Sequence, residues 1–208
     1  MSVRARLIAA LYDRVTAASE REGLAARRRE LLGNARGRVL EVGAGTGINL
    51  EYYGEGVEEL VLVEPERAMV RRLEQRLREL GRDARIVEAD AEALPFPDDS
   101  FDAVVCTLVL CSVGNPGRAL QELRRVLRPD GSFLFLEHVR SDDPRTARLQ
   151  DRVHPVWRFI ANGCNCNRPT LSLIQASFSV EEVDRGEVPR APRFVRPLVS
   201  GRALPSKS

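Results

Sequence analysis

Lysine is nearly missing from this chain: Lys207 is the only one, so almost all of its basic charge is arginine. The formal net charge is only +2, which removes the electrostatic case for a generic nucleic-acid binder. Arginine clusters such as Arg27–Arg29 read as solvated helix faces. No apolar run approaches the roughly 18 residues that span a bilayer, and the amino end has no signal-like core of about 7–15 apolar residues. A cytoplasmic protein without stable membrane insertion is therefore expected. Cysteine is scarce as well: Cys106, Cys111, Cys164 and Cys166 are too few and too clumped for a disulfide framework. Cys164-Asn165-Cys166 has no nearby His or further Cys to complete a zinc tetrahedron, so no metal is expected. With 43% hydrophobic and 30% charged residues among 208, the composition is that of a soluble globular chain, most simply a single domain.

The informative stretch is Val39–Asn49, Val-Leu-Glu-Val-Gly-Ala-Gly-Thr-Gly-Ile-Asn. A short apolar run ending in an acid and then alternating glycines reads as a buried strand turning sharply into a helix. Gly43, Gly45 and Gly47 leave one side of the turn without β-carbons and tolerate positive φ. A helix starting near Thr46 or Gly47 would aim its free N–H groups at the same place.

The rest of the chain repeats the pattern. Before it, residues 1–36 show helical apolar spacing, with Tyr12 a candidate lid residue. After it come a buried strand at 59–64 stopped by Pro65, a helix at 67–80, a strand at 84–90, a connection at 91–100, and a strand with its exit at 101–110. A helix from Asn115-Pro116 to Leu127, a turn at 128–131 and a strand at 132–138 follow. Strands alternating with helices predict parallel βαβ units in an open, doubly wound sheet. In such sheets ligands gather at the carboxyl ends of the strands. Those ends carry Gly43–Gly47, Glu64, Asp90, Thr107–Cys111 and Glu137-His138.

Ile48 stands where a dinucleotide fingerprint wants glycine or alanine, so a pyrophosphate is disfavoured, and a P-loop's Lys and Ser/Thr are missing. Glu64, roughly 20 residues beyond the glycines, is placed to accept ribose hydroxyls. Asp90 suits an adenine amino group and Glu41 an ammonium. Ribose, adenine and ammonium without phosphate describe S-adenosylmethionine.

From Val39 to His138 the chain resembles the class I S-adenosylmethionine-dependent methyltransferases. Leu40–Gly47 is similar to their first motif, Glu64 to the ribose acid, Ala89-Asp90-Ala91 to the adenine loop, and Leu127-Arg-Pro-Asp-Gly131 to the turn before the fifth strand. The resemblance implies a Rossmann-like, doubly wound seven-stranded α/β sheet, mostly parallel, with one antiparallel strand near the C-terminus. It also implies that S-adenosylmethionine meets Glu41, Gly43, Ala44, Gly45, Thr46, Gly47 and Asn49 at the first turn. Glu64, Pro65 and Met69 would meet it after the second strand, Asp90, Ala91 and Glu92 after the third, and Thr107 and Leu108 after the fourth.

A narrower resemblance, to the methyltransferase-like thiol S-methyltransferases, rests on Val105–Val113, Leu136-Glu-His-Val139, Gln150, Pro155-Val-Trp157, Gly163-Cys164, Arg168 and Ala176-Ser-Phe178. Membrane-bound members of that family carry an N-terminal hydrophobic anchor; this sequence departs from them there, which implies a soluble relative acting on a small-molecule thiol. The chain then divides into helices at 1–36, a donor-binding core at 37–140, a substrate-side insertion at 141–170, and a closing helix and strands at 171–208. Tyr12, Cys111, His138, His154, Trp157 and Arg168 are the acceptor-side candidates, with His138 also a candidate general base because its ordinary pKa suits proton removal. Structural readings stand beside four of them: His138 as a histidine that hydrogen-bonds a neighbouring loop, Trp157 as core, Arg168 as a helix cap, and His154 is read first as structural. A phospholipid or quinone-type N- or C-methyltransferase, and a catalytically silent donor-binding partner protein, are the other readings.

Overall fold

The computed structural model describes residues 16–161 and 163–206. Seven strands form one sheet: β1 Gly37–Val42, β2 Val57–Val63, β3 Arg85–Val87, β4 Phe101–Thr107, β5 Leu127–His138, β6 Phe178–Glu187 and β7 Pro197–Pro205, in the order β3-β2-β1-β4-β5-β7-β6. Neighbouring strands from β3 to β5 pair in parallel, and β7 runs antiparallel to both β5 and β6. This is the doubly wound sheet with one reversed strand that the sequence predicts.

The helices are α1 Ala25–Leu32, α2 Arg67–Leu80, α3 Pro116–Val126, α4 Pro144–Ile160 and α5 Thr170–Ser177. Each inner strand is buried on both faces, as parallel strands are, and side-chain alternation divides the core in two. Leu40, Val42, Val104, Cys106, Phe133 and Phe135 face α3 and α5. Val39, Leu60, Leu62, Val105, Leu134 and Leu136 face the side where Leu31, Leu32, Leu73 and Leu77 of α1 and α2 pack. The sequence explains the caps: Asn115 accepts from Arg118 N with Pro116 at the first turn, and Asp143 accepts from Arg145 and Thr146 N.

The structure differs from expectation in three places. Past the glycines there is no α-helix, only a 3-10 turn at Ile48–Glu51. Gly54 and Gly56 disfavour helix, and the chain must already enter β2 at Val57. β5 starts at Leu127, which pairs with Phe101, and the expected turn at 128–131 is a register shift inside the strand. Ahead of α1, residues 20–24 form a π-helical turn.

Phe178 opens β6 and is 1% exposed, its ring 4.9 Å from that of Phe133. Phe178→Ala should destabilise the fold by about 3–5 kcal/mol, whereas Val183→Ala, at a position 41% exposed on the same strand, should stay within about 0.5 kcal/mol; urea unfolding checks both.

Candidate active site

The carboxyl edge of β1 and β4 is where the chain leaves two adjacent strands in opposite directions, the switch point of the sheet. Gly43, Gly45 and Gly47 all have positive φ, at 70°, 58° and 82°. Their reasons differ. A β-carbon on Gly43 would lie 2.5 Å from Val109 Cγ2, and one on Gly47 would lie 2.7 Å from Leu73 Cδ1. One on Gly45 would meet only Gly43 O, at 4.0 Å, so Gly45 alone faces open space in which a ligand can touch backbone.

Beneath the turn lies Glu41, 2% exposed. Its carboxylate accepts from Asn49 Nδ2 at 2.8 Å and from the Tyr53 hydroxyl at 2.7 Å. Burial pushes its pKa up to about 7, against the pull of those two hydrogen bonds and of the Arg28 charge. Asn49 Nδ2 also donates to Thr107 Oγ1 at 2.9 Å. Arg28 Nη1 donates to Asn49 Oδ1 at 2.7 Å and to Thr107 Oγ1 at 2.9 Å, while its Nη2 pairs with Glu20 at 3.1 Å. Arg28 is 3% exposed, so the reading of Arg27–Arg29 as a solvated face is wrong for its middle member. The sequence signal was its place on the buried stripe of Leu24, Leu31 and Leu32, at helical spacing. Tyr53 was missed too. Glu41, expected to hold an ammonium directly or through water, has one side-chain donor on each oxygen and so fixes Asn49 and Tyr53 beneath the turn.

Glu64, 7% exposed, accepts from Gly45 N at 2.9 Å and from Glu66 N at 3.0 Å, and burial raises its pKa. It braces the glycine turn and keeps unused lone pairs. Ala44, Thr46, Met69 and Ala91 are buried around this edge, and Pro65 is exposed beside it. Asp90 is exposed and its Oδ1 accepts from Glu92 N at 2.9 Å. Glu92 is drawn away from the edge: its Oε1 accepts from Asn115 N at 2.7 Å, tying the loop to the start of α3.

At the exit of β4, Leu108 takes φ 61°, a left-handed conformation costly for a branched side chain. Glu137, fully buried, holds the turn by accepting from Val109 N at 2.9 Å and Leu110 N at 3.0 Å. Burial pushes its pKa up to about 7, and its second oxygen has no partner among the described residues.

The acceptor-side candidates scatter. Tyr12 lies outside the described residues. His138 is partly exposed at the exit of β5, but its Nδ1 is buried without a hydrogen bond. Burial holds its pKa down at about 4, although the Pro197 and Val195 carbonyls oppose the shift. Burial therefore disfavours the charged imidazole that proton removal by His138 would form. His154 Nε2 bonds Asn165 Oδ1 at 2.8 Å, and Asn165 Nδ2 donates to Cys111 O at 2.8 Å. Arg168 Nη1 donates to the carbonyls of Leu110 and Val113. Both therefore fasten the insertion to the exit of β4. Cys111 and Cys164 are buried, and the interaction between the two groups raises the pKa of Cys111 and lowers that of Cys164. Trp157 packs edge-on against Phe194, ring centres 5.1 Å apart. No group of three or more His, Cys, Asp or Glu is placed to hold a metal among the described residues.

A family profile described as Methyltransferase domain matches residues 40–135. Among solved structures, the N-methyltransferase NodS from Bradyrhizobium japonicum WM9, in complex with S-adenosyl-L-homocysteine, superposes with a TM-score of 0.66 at 15% identity, over 91% of this chain and 88% of that one. Fold, glycine turn and profile place the chain in the class I S-adenosylmethionine-dependent methyltransferases, and S-adenosylmethionine is its methyl donor. More narrowly, it is a relative of the thiol S-methyltransferases. It is 34% identical to Thiol S-methyltransferase TMT1A of Homo sapiens over 197 residues, covering 88% of this chain and 80% of the relative. It is 36% identical to Thiol S-methyltransferase TMT1B of Homo sapiens over 181 residues, covering 83% and 73%.

Glu41 supplies a test by pH. Its raised pKa means that the folded chain holds a proton that the unfolded chain has released between about pH 4.5 and 7. Its contribution to stability is complete below 4.5 and is lost as pH rises through 7. Glu137 has the same sign. His138, with its lowered pKa, acts in the opposite sense between about pH 4 and 6.5, so the test is a difference between proteins. Urea unfolding at pH 5 and pH 8 should show Glu41→Gln losing less stability, or gaining more, over that interval than the native chain, and an equal change in both would contradict the assignment.

Proposed function

We propose that the chain transfers a methyl group from S-adenosylmethionine to the thiol of a small molecule. The observation that carries the thiol reading is the extent of the relationship to TMT1A. A match over 88% of the chain reaches well beyond the common core at 40–135. The segment 141–170 is fastened to the exit of β4 by Asn165 and Arg168, beside the donor edge.

Bound at the edge, S-adenosylmethionine supplies an electrophilic methyl group on a cationic sulfur. The open face of Gly45 lets the donor lie on backbone, and Glu64, already braced by Gly45 N, accepts ribose hydroxyls with its remaining lone pairs. Asp90 and Ala91 border the adenine. Thr107 and Leu108 form the wall toward the methyl group, held by Asn49 and Arg28 on one face and by Glu137 on the other through Val109 and Leu110. The fit is in the chemistry of the set: buried carboxylates, an unblocked glycine and no phosphate-binding lysine.

For a thiol the reactive form is the thiolate, only a few per cent of a free thiol of pKa about 8.5 near neutrality. With His138 held at about 4, the proton leaves to solvent and the protein contributes position. Turnover is expected with simple thiols, hydrogen sulfide included, and not with matched amines or phenols; turnover confined to the latter overturns the reading. The rate at limiting acceptor should rise with pH as the acceptor thiol ionises. His138→Ala should lower kcat less than tenfold, whereas a general base would be worth about 10²–10⁴-fold. Donor binding in calorimetry without turnover on any acceptor would favour a silent binding protein.

A further inference from the structure

Two thiols meet where the segment 141–170 closes on the exit of β4. The residues on either side of Cys164 both lie against the chain at Cys111. A β-carbon on Gly163 would be 3.5 Å from Ser112 O, and Asn165 donates to Cys111 O through its backbone N and its Nδ2, each at 2.8 Å. Asn165 is held in turn by His154 Nε2 on its Oδ1 and by the Gly163 carbonyl, both at 2.8 Å. Arg168 Nη1 donates to the carbonyls of Leu110 and Val113, which bracket Cys111. A hydrogen bond from the residue beside one cysteine to the carbonyl of the other keeps their α-carbons within reach of the separation of about 4.4–6.8 Å that a disulfide spans. Cys166 is set apart: Gln150 Nε2 donates to its carbonyl at 2.7 Å, and burial pushes its thiol up to about 11.

We propose that Cys111 and Cys164 form a reversible disulfide, a peroxide-sensitive modification site that clips the segment 141–170 to the turn at the exit of β4. Cys164 reacts first. It is 7% exposed against 2% for Cys111. The neighbouring Cys111 group and the Arg168 charge lower its pKa although burial opposes them, whereas the Cys164 group and burial push the Cys111 thiol well up. The Cys164 thiolate attacks one oxygen of hydrogen peroxide, the O–O bond breaks, and the hydroxide released takes up a proton to leave as water. The Cys111 sulfur then attacks the sulfur of the resulting sulfenic acid. The S–S bond forms, the S–O bond breaks, and the hydroxyl leaves as water with the Cys111 proton. Two electrons have passed from the sulfurs to the peroxide, and a dithiol reductant returns them. The site is independent of which acceptor is methylated.

Peptide mapping of the full native chain tests the bridge. After brief exposure of the folded protein to a small molar excess of hydrogen peroxide, then denaturation and alkylation, mass spectrometry should find Cys111 and Cys164 in one cross-linked pair of peptides, with Cys106 and Cys166 alkylated. Dithiothreitol should restore all four thiols. Because the bridge closes a loop of about 50 residues, the oxidised chain should unfold at a temperature at least about 4 °C higher. In Cys111→Ala the sulfenic acid should persist at Cys164, where dimedone traps it. The proposal is overturned if Cys111 and Cys164 both stay alkylatable after peroxide treatment of the folded native chain, if either pairs with Cys166 instead, or if the bridge appears only after denaturation.

Discussion

A carboxylate buried under the glycine turn obliges the rest of the chain to satisfy it. Glu41 is 2% exposed, and an isolated charge there would be strongly unfavourable. Tyr53 and Asn49 each donate to it; the Asn49 amide oxygen in turn needs a donor, which is Arg28, and the buried guanidinium needs an anion, which is Glu20. Each partner is called for by the one before. The series joins the π-helical turn, α1, β1, the 3-10 turn and, through Thr107, the end of β4. The donor edge thus has its floor fixed from the N-terminal side of the molecule.

A second carboxylate does corresponding work on the opposite face. By strand alternation Glu41 lies with Val39 on the α1–α2 side, and Glu137 lies with Phe133 and Phe135 on the α3–α5 side. Glu137 binds the amides following Leu108, and the missing β-carbon of Gly43 leaves room for Val109. The strained turn at Leu108 is over-determined by both, which is how such conformations persist at functional edges. Two buried acids, each with a pKa near 7 because of burial, hold the two turns between which the methyl donor is proposed to lie.

The sheet was legible because buried parallel strands leave unmistakable apolar runs ending in polar residues. Val39–Gly47, the strand before Glu64 and Phe101–Thr107 stand where that pattern puts them. The 3-10 turn at Ile48–Glu51 was missed because the weak helical pattern was read without weighing Gly54 and Gly56. Arg28 was misread because it stands in a run of three arginines of which Arg29 is exposed and Arg27 half-buried on Asp184, and only its spacing from Leu24 and Leu31 told it apart. His138 was hard to read for a different reason: residue type suggests chemistry, whereas the burial of its Nδ1 comes from contacts distant in sequence, and His154, tied to Asn165, sits as its structural reading had it. Arg168 ties the turn after β4 and caps no helix, and Trp157 is half-buried against Phe194.

The dependence of the donor site on the N-terminal helix is the claim most exposed to test. Arg28→Met keeps apolar volume while removing the donor to Asn49 and Thr107, leaving Glu20 without its cation. Calorimetric titration of this variant with S-adenosylmethionine, beside the native chain and with folding followed by circular dichroism, should show the sheet retained and the dissociation constant raised at least about tenfold, roughly one lost charge-assisted hydrogen bond. An unchanged dissociation constant in a folded Arg28→Met protein would contradict the account.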